Sequence, residues 1–419
     1  MITSIWTWFA VIWVLTFYWL LPRYRDLILA TASAALITIL DWRSTVAVSI
    51  IGLAAFLVGR RATTLKKWQV GLFVVGAIGF LIYFKYVPGF LAKGAAAETG
   101  GGAGLAQAAG MAADPAKETG PLIPLGTSYF TFRLIAYVVD ARRKQNPPHT
   151  LPMFLGYLFF FPMFPAGPIE RFEDYAANRS STLTGMHIAQ GGSRIVYGLI
   201  KKFVIVDMLL AQRANKPGLS LWDAIPLFKA PYPVEQLLRL PKTNPLFVWQ
   251  FVIHQFTTWY LDLSAYSDLA IGGAMFFGIR LVENFEWPML ASDPTQFWKR
   301  FHMSLSGWCQ RYIYLPVMGR TRNPYVAVYA TMMIMGLWHS ASVNYLAWGA
   351  YHATVLSIHL TWNRIKRAKK WKMKSRVWNF ASTIMTVLAI SACAVFPSTS
   401  AQGIGAAFKL MGMLVGIHG

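Results

Sequence analysis

Acidic residues are scarce in this chain: 17 Asp and Glu stand against 39 Lys and Arg, and the four types together make up 13% of its 419 residues. So little charge leaves too little polar surface for an ordinary water-soluble protein of this length. Cysteine is nearly absent. Cys309 and Cys393 are the two present; they give no disulfide framework and no metal-ligand spacing, and nothing indicates redox chemistry. No Lys or Arg precedes the first apolar run, Ser4 to Leu21, so it lacks the basic opening of a cleavable signal peptide and reads as a retained span. Internal repeats, which many transporters carry, are not evident. A Gly-x-Ser-x-Gly elbow and a recognisable Ser-His-Asp constellation are also missing, which argues against a covalent serine enzyme.

What fills the chain is apolar. It is 55% hydrophobic, with 17 Trp and 28 Phe and a mean hydropathy of +0.42, and the apolar residues fall into long runs. The fold class expected is an all-α polytopic membrane protein with about eleven transmembrane crossings plus re-entrant or interfacial helices. Runs such as Leu27 to Leu40, Ser44 to Val58, Val70 to Phe90, Leu122 to Val139, Tyr325 to Trp338 and Val343 to Trp362 carry this reading. Arg23 and Arg25 follow the first run directly, so the positive-inside bias sets the N-terminus outside. The later basic clusters, among them Arg142-Arg143-Lys144 and Arg364 through Arg376, read as cytoplasmic. The net charge of +22 is then explained by topology and by anionic lipid, the expected partner, and no nucleic-acid role is inferred. One domain covers 1–419. Within it, residues 94–120 form an Ala- and Gly-rich extracytoplasmic loop with too little apolar surface to order itself, and residues 214–244 form a polar connection.

Against this background His339 stands out. It lies in a stretch without Asp, Glu, Lys or Arg between Arg322 and Arg364. An ionisable side chain within a bilayer is costly and is read by default as a functional candidate. By topology the stretch leaves the cytoplasm and returns, with His339 near its turn, which predicts a recessed site reached from the outer side. Other polar motifs interrupt apolar sequence. Pro124 through Phe132 sets Pro, Gly and hydroxyls, among them Ser128, in an apolar region, either as a kinked helix whose hydroxyls bond their own carbonyls or as a cavity lining. Phe164 through Arg171 is expected to end a short helix. Asp262 and Asp268 are too far apart in register to stack on one helix face; pairing with Lys299 or Arg300, or hydrogen bonding between helices, is the expectation. His302, Ser306 and Trp308 are expected on one side of a helix, with His302 open to a structural or a functional reading. His352 and His359 read as packing or interfacial residues.

A neutral imidazole can accept a proton from a hydroxyl and return it to a leaving group, which acyl transfer to an alcohol requires. Asn, Ser or a second imidazole can steady the oxyanion. With no serine elbow, direct attack by the acceptor hydroxyl is the favoured route.

Tyr266-Ser267-Asp268-Leu269-Ala270-Ile271-Gly272, Glu283-Asn284-Phe285, Phe297 to Trp308 and Gly336-Leu337-Trp338-His339 together resemble the membrane-bound O-acyltransferase family, over about Pro124 to His352. The likeness is to its bacterial cell-envelope branch, which includes alginate O-acetylation and teichoic-acid D-alanylation membrane proteins. That resemblance implies a ring of tilted helices around a central tunnel, in a bacterial inner membrane, where a cytoplasmic thioester meets an acceptor from the other side. It implies a catalytic role for His339 and a second motif histidine at His302, with Asn284, Asp268, Ser128, Ser306 and Trp338 supporting or lining the tunnel. No bound cofactor and no metal are expected. Acetyl-CoA or an acyl carrier protein is the implied co-substrate, and an extracytoplasmic acyltransferase is the implied partner. The expected activity is transfer of a short acyl group, acetyl first, for O-acylation of an exported polysaccharide; D-alanyl transfer and a transporter without chemistry are the alternatives.

Overall fold

A computed structural model describes residues 5–99, 126–164, 166–210, 234–239, 244–371 and 375–417. Side chains at 5–8, 88–99 and 208–209 are not described. Most of the expected connection at 214–244, apart from a short helix at Val234–Arg239, and most of the Ala/Gly-rich segment lie outside these residues; helix α3 runs into the start of that segment, to Thr99. Among the described residues the structure is helical, and its β-type pairings are isolated bridges, Arg179 with Ile279 and Phe285 with Phe301. The chain divides into two compact units.

The first unit comprises residues 1–198 and 266–283. It contains α1 (Ile5–Leu20), α2 (Arg25–Arg61), α3 (Lys67–Thr99), α4 (Thr127–Arg142), α5 (Leu151–Phe159), α6 (Phe172–Ala177) and α7 (Gly185–Leu199). Helix α2 is two spans joined at Asp41, whose extended backbone breaks the helix. Its carboxylate accepts from the backbone N–H groups of Arg43 and Ser44 and so caps the second half. Thr38 and Thr45 hydroxyls meet at 3.0 Å across this break. In a straight helix a seven-residue separation would set them about 10 Å apart along the axis, so the chain folds back at Asp41. The break falls between the two apolar runs Leu27 to Leu40 and Ser44 to Val58.

Aromatic rings form this unit's core: Phe130, Tyr137, Phe154, Tyr157, Phe172 and Tyr175 are all buried. Gly52 and Gly59 let α2 approach them, since a Cβ there would lie 2.3 Å from Leu158 and 2.4 Å from Tyr137. Helix α5 is followed by a short 3-10 turn, Phe161–Met163, and helix resumes at α6, so a short helix ends here as expected. The start of α4 favours the helical reading of its hydroxyls, because Thr131 bonds the Thr127 carbonyl one turn back, at 2.7 Å. Ser128 receives a hydrogen bond from Lys85 at 3.4 Å.

The second unit comprises residues 199–265 and 284–419. Helix α8 is Val234–Arg239; α9 (Pro245–Phe276) contributes its first part here and its last part to the first unit. Then follow α10 (Pro294–Arg300), α11 (Met303–Cys309), α12 (Leu315–Thr321), α13 (Pro324–His339), α14 (Val343–Ala368), α15 (Arg376–Ala392), α16 (Val395–Ser398) and α17 (Ile404–Leu414). Helices α13 and α14 form a hairpin. Asn323 caps α13 through the Tyr325 N–H at 2.9 Å with Pro324 as its first residue, and Ser342 caps α14, the pattern that starts helices. Tyr325 reaches Thr361, and Tyr329 reaches Thr354, across the pair. Their close approach needs two glycines: a Cβ at Gly336 would sit 2.3 Å from the Tyr345 carbonyl oxygen, and one at Gly349 2.5 Å from that of Met332. Gly336→Val is therefore expected to destabilise the hairpin by about 1–3 kcal/mol, read as a lower melting temperature of the detergent-purified protein, whereas substitution at Gly319, where a Cβ meets nothing within 4 Å, is neutral.

Among the described residues three helices are long and apolar enough to cross a membrane, at Pro22–Arg61, Lys67–Val87 and Arg376–Ser398; shorter apolar helices include Phe9–Leu20, Leu151–Met163 and Ile404–Leu414.

Candidate functional site

His302 lies between two helices and not within one. Helix α10 ends at Arg300, capped at its start by the Asp293 carboxylate, and α11 begins at Met303 with His302 as its N-cap in the left-handed region, φ +46°. Expecting His302, Ser306 and Trp308 on one helical side is thus incorrect. The reason is local pairing: Glu286 donates to the Arg300 carbonyl at 2.9 Å and Met303 to that of Asn284 at 2.8 Å, so residues 284–286 and 300–303 run as an antiparallel bridge. That pairing draws the backbone out of the helix and sets Asn284 against His302.

Asn284 then organises the imidazole. Its Oδ1 accepts from the Ser304 N–H at 3.2 Å and the Ser304 hydroxyl at 2.9 Å. A backbone N–H can only donate, so this atom is the oxygen of the amide. It lies 3.2 Å from His302 Nδ1, which must therefore carry the ring proton. Nε2 is left as the acceptor nitrogen, the one able to take a proton. Asn284, His302 and Ser304 are all buried. His302 lies outside the apolar spans, and burial pushes its imidazole down to about 4, so the ring is neutral at physiological pH.

His339 is the last residue of α13 and is half-buried. Its ring stands edge-on to Trp338 and to Trp348, at 4.6 Å and 5.2 Å between centroids, and stacks on Tyr345 at 5.8 Å. Trp348 also meets Trp298 of α10 and His352, and Trp298 meets His352. His352 is thus a packing histidine. His359 contacts Asp293 at 3.4 Å and Asn363 at 2.8 Å.

A cavity of about 360 Å³ lies in this unit. It is lined by Trp298, Met303 and Ser306 on one side and by Val328, Met332 and Met335 of α13 on another, with exposed Lys299 at its edge. Neither His302 nor His339 is a lining residue. In sequence, His302 directly precedes the lining residue Met303, and His339 lies four residues on from Met335, on the helical stripe of Val328, Met332 and Met335.

For Asp262 and Asp268 the structure shows the other form of the expectation, bonding between helices, with Lys202 and Arg194 as the cations. Asp262 accepts from Lys202 at 2.8 Å in the second unit. Asp268 belongs to the first unit and pairs with Arg194 at 2.5 Å; Arg194 also bonds Glu283. Ser128 too lies in the first unit, so Asn284, Ser306 and Trp338 are the supporting residues that share a unit with both histidines. Sequence reading missed Arg133 and Glu170. Both are fully buried; Arg133 donates to the Tyr157 carbonyl at 3.1 Å and Glu170 accepts from the Val282 N–H at 2.7 Å. The signal for Arg133 was present: a cation inside an apolar run, the same criterion that singled out His339. Among the described residues no cluster of His, Cys, Asp or Glu is placed to hold a metal ion.

The model of the membrane-bound O-acyltransferase family matches residues 126–399. A probable alginate O-acetylase of Pseudomonas syringae is 32% identical over 356 residues, covering 80% of this chain and 61% of that protein. A teichoic acid D-alanyltransferase of Streptococcus thermophilus is 30% identical over 267 residues, 58% of each chain. A peptidoglycan O-acetyltransferase of Helicobacter pylori is 28% identical over 332 residues, 71% of this chain and 58% of its own. This chain thus spans about three fifths of the length of these relatives.

Proposed function

Because the chain belongs to the membrane-bound O-acyltransferase family, we propose that it moves a short acyl group, acetyl in the first instance, from a cytoplasmic thioester across the inner membrane for O-acylation of an exported polysaccharide. The observation that carries the reading is the family match over residues 126–399, in whose span one largely apolar cavity is lined by Met303, the residue after His302, and by Met335, one helical turn before His339. A volume of about 360 Å³ is within the range of small-ligand sites. It accommodates an acyl group and the thiol end of its carrier, and Lys299 at its edge attracts a phosphate-bearing donor. About eleven crossings, with the N-terminus outside, complete the proposed topology.

In the proposed reaction His339 takes the proton of the acceptor hydroxyl as its oxygen bonds to the acyl carbon. The tetrahedral intermediate collapses, the C–S bond breaks, and the imidazolium returns the proton to the departing sulfur. His302 positions the reacting groups. A second reading has a specific observation behind it: with its proton held at Nδ1 by Asn284, His302 offers an acceptor at Nε2, so it can receive the hydroxyl proton but cannot, while neutral, donate to an oxyanion. An extracytoplasmic acyltransferase is the proposed recipient where the acyl group is relayed and not passed directly to sugar.

Purified protein in liposomes, supplied with labelled acyl thioester, tests this. Release of free thiol with label on an acceptor is the expected result; label crossing the membrane still as thioester identifies a transporter. Acetyl donors are expected to outpace D-alanyl donors by roughly tenfold in kcat/KM, since a small apolar pocket gains little from an added ammonium group. The reverse preference assigns the chain to D-alanyl transfer.

A further inference from the structure

The first unit carries a second cavity, of about 350 Å³, whose lining is polar and basic: Asn178, Arg179, Ser180, Thr184, His187 and Arg280. The mechanism above uses none of these residues. Its walls are tied together by the backbone, for Ser180 donates to the Gly278 carbonyl at 2.8 Å and Arg280 to that of Asn178 at 3.1 Å. This holds Arg179 and Arg280 on two segments joined by an isolated antiparallel bridge. Arg179 is paired with Asp26 at 2.5 Å, whereas the exposed guanidinium of Arg280 meets no carboxylate among the described residues. The cavity therefore holds a net positive charge.

His187 is buried, at 6% exposure. Its Nδ1 accepts from the Thr184 N–H at 3.2 Å, so the proton of the neutral ring sits on Nε2, its remaining donor. Thr184 precedes α7, which starts at Gly185 and runs for 15 residues, and the positive end of that helix adds to the field. Donors and positive charge are in excess, and an anion is what satisfies them.

The position identifies the kind of anion. Arg25, at the first residue of α2, donates to the Ser181 carbonyl at 2.8 Å, and Asp26 binds Arg179. The cavity thus lies level with the polar end of the candidate span Pro22–Arg61, where headgroups sit. Leu183, Met186 and Ile188 beside it are exposed apolar residues, a surface suited to an acyl chain and not to a water-soluble ion. We propose that this cavity is a binding site for the phosphodiester headgroup of an anionic phospholipid, with Arg280 and the His187 imidazole as its donors.

Native mass spectrometry of the full chain, released from detergent doped with phosphatidylglycerol or with phosphatidylcholine of the same acyl chains, tests the site. Wild type is expected to retain the anionic lipid about tenfold better, and Arg280→Ala to remove that preference, as loss of a charge-assisted hydrogen bond predicts. Arg280 is exposed and its backbone bond survives the substitution, so folding is not at issue. Arg320→Ala, at another exposed arginine, is expected to retain the preference. Equal retention of both lipids by wild type, or an equal loss in Arg280→Ala and Arg320→Ala, overturns the proposal. So does displacement of the lipid by millimolar inorganic phosphate, which would make the ligand a soluble phosphate.

Discussion

His339→Ala is expected to lower acyl transfer by about 10³-fold, within the range that one general base contributes, while the protein inserts at the wild-type level. Half-buried at the end of α13, the ring is bounded by Trp338, Tyr345 and Trp348. Little packing is lost on truncation at such a partly open position. A structural role and a chemical role make different predictions for His339→Gln, which keeps most of the volume and a hydrogen-bonding end but cannot shuttle a proton near neutrality. Glutamine is expected to be as inactive as alanine, with thioester binding, measured by displacement of a labelled non-hydrolysable analogue, unchanged in both. Activity restored by glutamine would return His339 to packing and leave His302 as the base.

The next largest effect is expected at His302 and its holder. His302→Ala removes the acceptor nitrogen and leaves Asn284 Oδ1 with the two Ser304 donors, and a loss of about 10²-fold is expected. Asn284→Ala leaves the ring but not the restraint on its tautomer, and a loss of about 10-fold or more follows from the weight of such orienting partners. Asn284→Asp separates orientation from bulk stability. A carboxylate at that position favours the charged imidazolium and raises the His302 value from about 4, so activity is lost at a higher pH as the medium is acidified. Wild type has no acid limb from His302 between pH 5 and 8; the variant is expected to acquire one. The linkage runs the same way. The folded value lies below the ordinary 6.5, so the unfolded chain takes up its proton first, and the stability due to the neutral buried ring is complete above 6.5 and lost as pH falls toward about 4. An unchanged pH profile in Asn284→Asp would detach His302 from the chemistry.

Several elements of the fold were readable in advance because they depend on neighbours in sequence. The break at Asp41 is bracketed by two apolar runs, and the runs Tyr325 to Trp338 and Val343 to Trp362 fall on α13 and α14. His302 was misplaced on a helix because Phe297 to Trp308 has no proline or glycine before Gly307 to interrupt it; the interruption comes from pairing with residues 284–286. For Asp262 and Asp268 the sequence points to bonding between helices but not to the partners, Lys202 and Arg194, which lie 60 and 74 residues away.

What the sequence by itself determined was the kind of solvent and the suspects. Hydropathy over a window is a local sum, so the membrane class follows from composition and runs, and an ionisable residue in an apolar run is conspicuous without any coordinates. The tertiary structure decided which nitrogen of His302 carries the proton, how closely Gly336 and Gly349 let α13 and α14 approach, and which carboxylates Arg179 and Arg194 pair with. Those depend on hydrogen bonds and contacts between distant residues, whose directions no periodicity encodes.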